Sequence, residues 1–558
     1  MTSGAYVYID VSRKQDFIYK ENELKSSLFR SFIIKSLTED LSRDKDLMNF
    51  KPQSYTTLNQ FLAKWEHRFE FSGGGNSIIY FPNEDDARSF GYKYTIEVLR
   101  AFPDLELYVS FVEKTKDIPD KVIMNLLHEK ADQLKDQRVN QFRRWSYGIE
   151  KIDATGMPIR KLSDEAKKAQ QSDEKNVQQT LMAQLKRQSK VGEKVFFTVT
   201  NELQNYRKNQ NDTDLGKSYI GIINIDGNQM GQIVEQIESF WEMQEFGQWI
   251  EKIYFHAVSE ALKEIGDSEL LVTPVVMAGD DLCLITNAEY ALELAYQIVQ
   301  NIMTFSDLSK QEELEERFRF SLLPSVANKM KSLGIHYLSA CAGVAITRIT
   351  YPFYESVKAA EGLCKQAKEA LYKVNVKGKN GTLPSMMDWQ IVLGQIDPAE
   401  RYEKMVKRKG IHEQFHIKPL RITRPNNEEE KDTELKNTIT DYSSFYNLLQ
   451  CLIRGLHSGE ISHTVLEKVR RAAYNGPEAY RRLFITDQTG QFEWIMKHVR
   501  KHYPDRNLDT YAPILEVEES QGKKITYILH DVLEILPYMR EYWQVKSERK
   551  GGSEHAAF

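Results

Sequence analysis

Three aspartates carry the strongest chemical signal. Asp226 closes the apolar run Tyr219-Ile-Gly-Ile-Ile-Asn-Ile-Asp226, and Asp280 and Asp281 sit in the tight segment Ala278-Gly-Asp-Asp281 between the apolar runs Leu270–Met277 and Leu282–Thr286. If those runs are neighbouring strands of one sheet, the three carboxylates converge at one end of it. Clustered carboxylates repel one another unless a cation joins them. Hard oxygen donors that leave positions for phosphate favour Mg²⁺ or Mn²⁺. A pair of such ions can activate a 3′-hydroxyl and neutralise a triphosphate during in-line displacement. Gly279 lets the hairpin turn sharply and the backbone approach a phosphate. An Asp-rich turn by itself is an ordinary hairpin device. The strand-terminal Asp226 beside it is what points to catalysis.

Weaker signals surround this set. Asp226-Gly-Asn-Gln-Met-Gly231 opens a helix after a strand. Its N–H groups could hold a triphosphate, or it is a plain capped turn. Lys365 and Lys368 lie on the helix after the last strand, where one could reach a phosphate or both could face solvent. A second Asp-plus-turn set occurs near the start. Asp10 ends Ala5-Tyr-Val-Tyr-Ile-Asp10, and the turn is Gly73-Gly-Gly-Asn76. One carboxylate cannot assemble a two-metal centre, so this copy binds a nucleotide through bare backbone or serves as scaffold.

The elements that must position these residues read as β-α-β-β-α-β twice over. The first copy has strands ending at Asp10 and flanking Gly73–Asn76, helices over Leu24–Leu37 and Asn83–Arg100, and a last strand Leu105–Val112. The second has strands ending at Asp226 and flanking Ala278–Asp281, helices within Gly231–Ile265 and over Ala288–Met303, a strand Tyr337–Thr347 and a helix Tyr354–Tyr372. The expected fold class is α+β, with two ferredoxin-like units, a helical linker region and an all-α C-terminal domain. Expected boundaries are 1–115 for the first unit, 116–215 for solvated linker helices, and 216–395 for the second, catalytic unit. A basic linker at 396–440, an all-α domain at 441–546 and a tail at 547–558 complete the division.

The chain has 558 residues, 41% hydrophobic and 28% charged, with a net charge of −5. At about 150 residues per domain this suits three to four soluble domains and argues against wholesale disorder. It gives no sign of a strongly basic nucleic-acid binder overall. No apolar run approaches the ~18 residues that span a bilayer, and the first ten residues lack a signal-peptide pattern. Four isolated cysteines form neither a disulfide framework nor a zinc module, so a reducing cytoplasm is expected. His530-Asp531 reads as a surface pair without further ligands. His412 and His416 have zinc-compatible spacing but no third ligand in view. The basic run 401–424 reads as a solvated or interdomain segment rather than a nucleic-acid contact.

As a set, the motifs resemble the large two-palm subunit of type III CRISPR effector complexes, which makes cyclic oligoadenylates, and more distantly the GGDEF diguanylate cyclases. The resemblance rests on Asp10-Val-Ser-Arg-Lys-Gln-Asp-Phe-Ile18, Ser72-Gly-Gly-Gly-Asn76, Ile225-Asp-Gly-Asn-Gln-Met-Gly231 and Ala278-Gly-Asp-Asp281. Ser339-Ala-Cys-Ala-Gly343, Ala367-Lys368 and Met387-Asp-Trp389 follow in the family's order. It covers residues 1–395. It implies Asp226 and Asp280 as metal ligands with Ile225 at the same centre, and Asp281 as a second ligand or an aid to deprotonation. It also implies Gly227 and Asn228 beside the triphosphate, Lys368 on its phosphates, and Gly73, Gly74 and Gly75 bordering the acceptor. The family's N-terminal HD nuclease and zinc-binding cysteines have no counterpart in this sequence, and Ala278 replaces a turn glycine. The function so implied is a metal-dependent nucleotidyltransferase that cyclises ATP or a related NTP into a defence signal. A non-catalytic or RNA-binding scaffold subunit and a polymerase making linear product are the alternatives. Partners implied are NTPs, RNA or effector subunits through the helical domain, and a second copy of the chain.

Overall fold

The two copies of the strand pattern each build one sheet with the same internal order. The structure is a computed structural model, and it describes residues 4–115, 118–137, 164–188, 197–206, 218–318, 321–373, 383–393, 406–408, 411–424, 440–486, 488–504, 507–519 and 522–539. The first sheet comprises β1 (Ala5–Ser12), β2 (Arg68–Gly73), β3 (Asn76–Phe81) and β4 (Glu106–Glu113), in the order β2-β3-β1-β4. The second adds β5 (Thr198–Val199), β6 (Tyr219–Gly227), β7 (Leu271–Ala278), β8 (Asp281–Asn287), β9 (Ala340–Arg348) and β10 (Ser385–Val392). Three short strands follow, β11 (Val406–Arg408), β12 (Ile411–Gln414) and β13 (Leu420–Ile422). The second sheet runs β13-β10-β9-β6-β8-β7-β5, so its inner four repeat the order of the first. The fold is therefore mixed α and β.

Strand alternation assigns the faces. In β1, Val7 and Ile9 join one apolar cluster with Phe32 and Phe90, while Tyr6 and Tyr8 join the other; Asp10 shares the face of Tyr6 and Tyr8. In β6, Ile223 and Ile225 pack with Tyr254 and Leu294 of the helices Phe240–Ile265 and Ala288–Phe305. Asp226 lies on the opposite face, which the helix Phe353–Lys373 covers. That helix sits close against β9 because position 343 is glycine: a Cβ there would lie 2.0 Å from the Ala360 carbonyl oxygen. The two units share a core, since Ile222 and Ile285 belong to the same cluster as Val7 and Ile9. The Ser72 backbone N–H also donates to Gln244 Oε1 at 2.8 Å, tying β2 to the helix Phe240–Ile265.

Several expectations for the remaining segments are corrected. The helix Asp120–Asp136, expected to be solvated, buries Ile123, Met124, Leu127 and Ala131. In the helix Asp164–Gln188, Asp173 is fully buried and accepts from the Gln53 and Ser54 N–H groups. The segment expected as a basic linker forms β11 to β13, and its Lys418 and Arg421 are buried. Arg421 pairs with Asp441 at 2.7 Å, and Arg424 with Asp307, so these cations hold elements together. Arg401, Lys404 and Lys409 lie outside the described residues, as do the acidic run 428–432 and the tail 547–558.

The C-terminal region is not all helical. Alongside helices such as Tyr442–Ser458 and Gln491–His502 it holds the hairpin β14 (Ile514–Glu519) and β15 (Gly522–Tyr527). The hairpin joins β11 and β12 in a third sheet, ordered β11-β12-β15-β14. Only Ile525 and Tyr527 of β15 are buried, so its lysine-rich outer face hid the strand in a helical background. Among the described residues, no helix is long and apolar enough to cross a membrane.

Candidate active site

Backbone register brings the three aspartates together. Asp226 lies directly opposite Asp281 in the antiparallel β6–β8 pair, and Ala278 pairs with Asp281 to close a turn made of Gly279 and Asp280. Gly279 has φ +62°, a left-handed conformation that costs glycine nothing. Asp226 has 44% of its side chain exposed. A Cβ added at Gly227 would lie 3.0 Å from Asp280 Cβ and 2.9 Å from the Tyr254 hydroxyl, so the turn, the strand end and that phenol form one cluster.

The electrostatics are those of crowded anions. Burial, with the charges of Asp226 and Asp280 added, pushes the Asp281 carboxyl up to about 7. Burial and the Asp226 charge hold Asp280 above the ordinary carboxylate range as well. The Tyr254 phenol is raised well above its ordinary value, by burial first and then by the charges of Asp280 and Asp226. Its hydroxyl is buried without a hydrogen-bond partner among the described residues. The local cation is Lys368, whose Nζ donates to Asp226 Oδ2 at 2.5 Å and to the Gly227 carbonyl at 2.8 Å. Burial pulls Lys368 down, but its hydrogen bond to Asp226 and that charge outweigh this, so its net shift is upward.

Asp280 and Asp281, though not Asp226, line a cleft of about 350 Å³ between the two units. Gly279, Asp280 and Asp281 line one side, and Gly74, Gly75 and Lys14 the other. Lys14 Nζ donates to the Gly74 carbonyl at 2.8 Å, and its charge acts on Asp281 across the cleft. Tyr254 and Glu361 also line it. Glu361, on the helix Phe353–Lys373, is pushed up to about 7 by burial and by Asp281.

Not every expected residue takes the expected place. Gly73 is not part of the cleft lining, and Asp10 lies away from it, 2.9 Å from Lys135 Nζ. Asn228 is buried, its N–H donating to the Ser339 carbonyl at 2.9 Å and its side chain to Ser339 Oγ at 3.1 Å; it shapes the strand exit. Ile225 is fully buried, so only its backbone can face a ligand. Lys368 is engaged with Asp226 rather than free for phosphate. Sequence reasoning missed Lys14, Tyr254 and Glu361. Tyr254 is one more aromatic in the apolar stripe of its helix. Glu361 carries a helical spacing signal, seven residues before Lys368, that went unused.

Residues 219–377 match the family model described as Cas10/Cmr2, second palm domain. No curated protein matches the chain. Among solved structures, Csm1 of T. onnurineus is 12% identical with a TM-score of 0.42, over 96% of this chain and 69% of that one. A Csm1–Csm4 cassette in complex with pppApA is 13% identical with a TM-score of 0.46, over 97% and 69%. A Csm1–Csm4 cassette in complex with cA3 is 13% identical with a TM-score of 0.39, and here the match spans 66% of this chain and only 53% of the other. Over residues 219–377, then, this chain carries a second palm of the Cas10/Cmr2 kind, and its likeness to the two-palm subunit of type III CRISPR effectors stands on that segment.

Proposed function

We propose that this protein is a metal-dependent nucleotidyltransferase that joins and cyclises ATP or a related NTP into a cyclic oligonucleotide, with two ferredoxin-like palms facing one cleft. The observation that carries this reading is the register of Asp226 against Asp281, with Asp280 in the adjoining turn, at a cleft whose far wall is the Gly74-Gly75 turn. Asp226, Asp280, Asp281 and the Ile225 carbonyl would hold Mg²⁺ or Mn²⁺. The fit is supported by the donor set, all hard oxygen, and by carboxyls raised through burial first and mutual repulsion second, a charge a divalent ion would compensate. When bound, such ions supply charge neutralisation of the triphosphate and activation of the attacking hydroxyl.

The chain's own groups do the rest. The backbone at Gly227 and Gly279 would meet phosphate oxygens, and Lys368 would serve them as a cation only if it left Asp226. Gly74 and Gly75, with Lys14, would border the acceptor nucleotide. The free cysteines fit a reducing cytoplasm. Association with other effector subunits and RNA is proposed from the motif resemblance and the second-palm match over residues 219–377.

The test is incubation of the purified chain with Mg²⁺ or Mn²⁺ and each NTP, alone and with RNA activators, with pyrophosphate release and product mass as readouts. Cyclic product resistant to phosphatase is expected. Linear product would make the protein a polymerase. Silence under every condition, with the chain in a stoichiometric RNA–protein assembly, would make it a scaffold.

A further inference from the structure

A second cluster of ligating side chains lies outside the cleft. The pair His530-Asp531, read from sequence as a surface feature, is not one: Asp531 is fully buried. His530, Asp531 and Glu534 sit on the helix Ile528–Ile535, where His530 and Glu534, four residues apart, share a face. His416, just beyond β12, reaches the same point, and one ligand atom from each of the four residues lies within 4.8 Å of the others. Sequence spacing set His416 beside His412 without a third ligand and argued against a metal site there; the fold brings the helix Ile528–Ile535 to His416 instead.

Hydrogen bonds sort the atoms. His416 Nδ1 meets Asp531 Oδ1 at 2.7 Å, which leaves His416 Nε2 for a ligand. A ligating histidine that gives its other ring N–H to a carboxylate is the usual outer arrangement of a protein metal site. His530 Nε2 lies 3.1 Å from the Tyr474 hydroxyl, and its Nδ1 is buried with no hydrogen-bond partner among the described residues. Glu534 Oε2 is likewise buried and unbonded; Lys418 Nζ stands 3.6 Å away. Lys418 is committed elsewhere, donating to the Trp389 carbonyl at 2.9 Å and pairing with Asp531 at 3.2 Å. His530 Nδ1 is thus a buried acceptor without a hydrogen bond, Glu534 Oε2 is met only by Lys418 at 3.6 Å, and both residues belong to the same four-residue cluster.

We propose that His416, His530 and Glu534 bind a divalent cation of the zinc class, with Asp531 as the group that orients His416. Two imidazoles and one carboxylate are a borderline donor set, suited to Zn²⁺ or Co²⁺ rather than to the oxygen-seeking Mg²⁺. Tetrahedral zinc, with bonds of ~2.0–2.1 Å, sets its ligands roughly 3.4 Å apart. The ligand atoms, within 4.8 Å of one another, would draw together on binding, and the side chains of His416 and Glu534 are 17% and 24% exposed. The bound ion would clip the segment leading into β13, and so the seven-stranded sheet, to the C-terminal helix. The reading is independent of the aspartate cluster.

The experiment uses the full chain, stripped with chelator and dialysed against Co²⁺, then Zn²⁺. One equivalent of Co²⁺ with visible d–d bands, displaced by Zn²⁺, is expected. Zn²⁺ should also raise the Tm of the stripped protein. Glu534→Gln and His530→Gln should each lower Zn²⁺ affinity at least ~10-fold, while Asp280→Asn with Asp281→Asn leaves it unchanged. Glu534→Gln alters a part-exposed side chain and keeps its shape, so it carries the test if the histidine variant does not fold. A stripped protein that takes up no Co²⁺ into nitrogen ligation overturns the proposal. So does a folded Glu534→Gln with wild-type affinity and spectrum.

Discussion

The two sheet units are the same device with different residues at its tip. In each, an aspartate ends the central strand: Asp10 faces Asn76 and Asp226 faces Asp281. Each unit then has a two-residue turn, Gly74-Gly75 or Gly279-Asp280, opened by a glycine at φ +64° or +62°. In each, a lysine from the helix after the fourth strand reaches back to that aspartate. Lys135 and Lys368 both stand fifteen residues beyond the first residue of their helices, Asp120–Asp136 and Phe353–Lys373. What differs is the pair Gly75-Asn76 against Asp280-Asp281. The first unit keeps one carboxylate, balanced by one lysine. The second adds two more carboxylates, and its Asp280 and Asp281 are pushed upward by burial first and by the neighbouring carboxylate charge second, against Lys368 and, at Asp281, Lys14. The shared scaffold supplies placement; the added charge supplies a reason to bind divalent cations.

The comparison breaks most visibly at the carboxylates. Asp280→Asn with Asp281→Asn should lower turnover by at least roughly 10³-fold, because cation-held charge provides much of the transition-state stabilisation. Asp226→Ala should do the same. Asp10→Ala should be milder, about 1–3 kcal/mol in transition-state terms if only a positioning contact is lost. Initial rates with saturating metal, on variants whose melting is unchanged, check this. Equal loss at Asp10 and Asp226 would make the first unit a catalytic half-site.

Much of this symmetry was legible beforehand, for reasons that also explain what was not. Apolar strands flanking Gly-rich or Asp-rich turns are local signals, so both hairpins and their Asp-terminated neighbours were found within a residue or two. Lys135 was hidden because its helix, rich in Lys, Glu and Asp, reads as solvated, although four apolar residues fix it on the first sheet. The additions β5 and β10 were missed because they pair in parallel across long connections, which leave no local signature. His416 and the helix Ile528–Ile535 are more than a hundred residues apart, so their meeting depends on the third sheet, which polar strands concealed.

Lysine substitutions sharpen the comparison at intermediate size. Lys368→Met removes the counter-ion of Asp226 and the proposed phosphate contact together, and should lower kcat/KM about 10–100-fold, or ~1.4–2.7 kcal/mol. Lys135→Met leaves Asp10, only 8% exposed, without its ion-pair partner. Its cost should appear in folding, about 1–3 kcal/mol by urea denaturation, with activity within a few-fold of normal. If Lys135→Met instead lost as much activity as Lys368→Met at unchanged stability, the first unit would need a role in the chemical step.

The smallest effect concerns pH without metal. The Asp281 carboxyl stands at about 7 in the folded protein, because burial and the charges of Asp226 and Asp280 disfavour its ionised form. In the unfolded chain it ionises near ~3.9. Between those values the folded state holds a proton that the unfolded state has released, so stability falls as pH rises. The contribution is fully present below pH ~4 and is lost by the time the pH passes 7. Glu361, also at about 7, acts in the same direction. Screening and relaxation should reduce the combined effect to about 1–3 kcal/mol. Urea midpoints of chelator-treated protein from pH 5 to 8 should therefore decline relative to those of Asp281→Asn, and the two curves should meet at the acid end. Saturating Mg²⁺ should flatten the wild-type curve, since it compensates the charge that deprotonation exposes. Parallel curves for wild type and Asp281→Asn across pH 5–8 would mean that the second unit's carboxylates are not electrostatically stressed. The distinction between the two tips would then rest on shape alone.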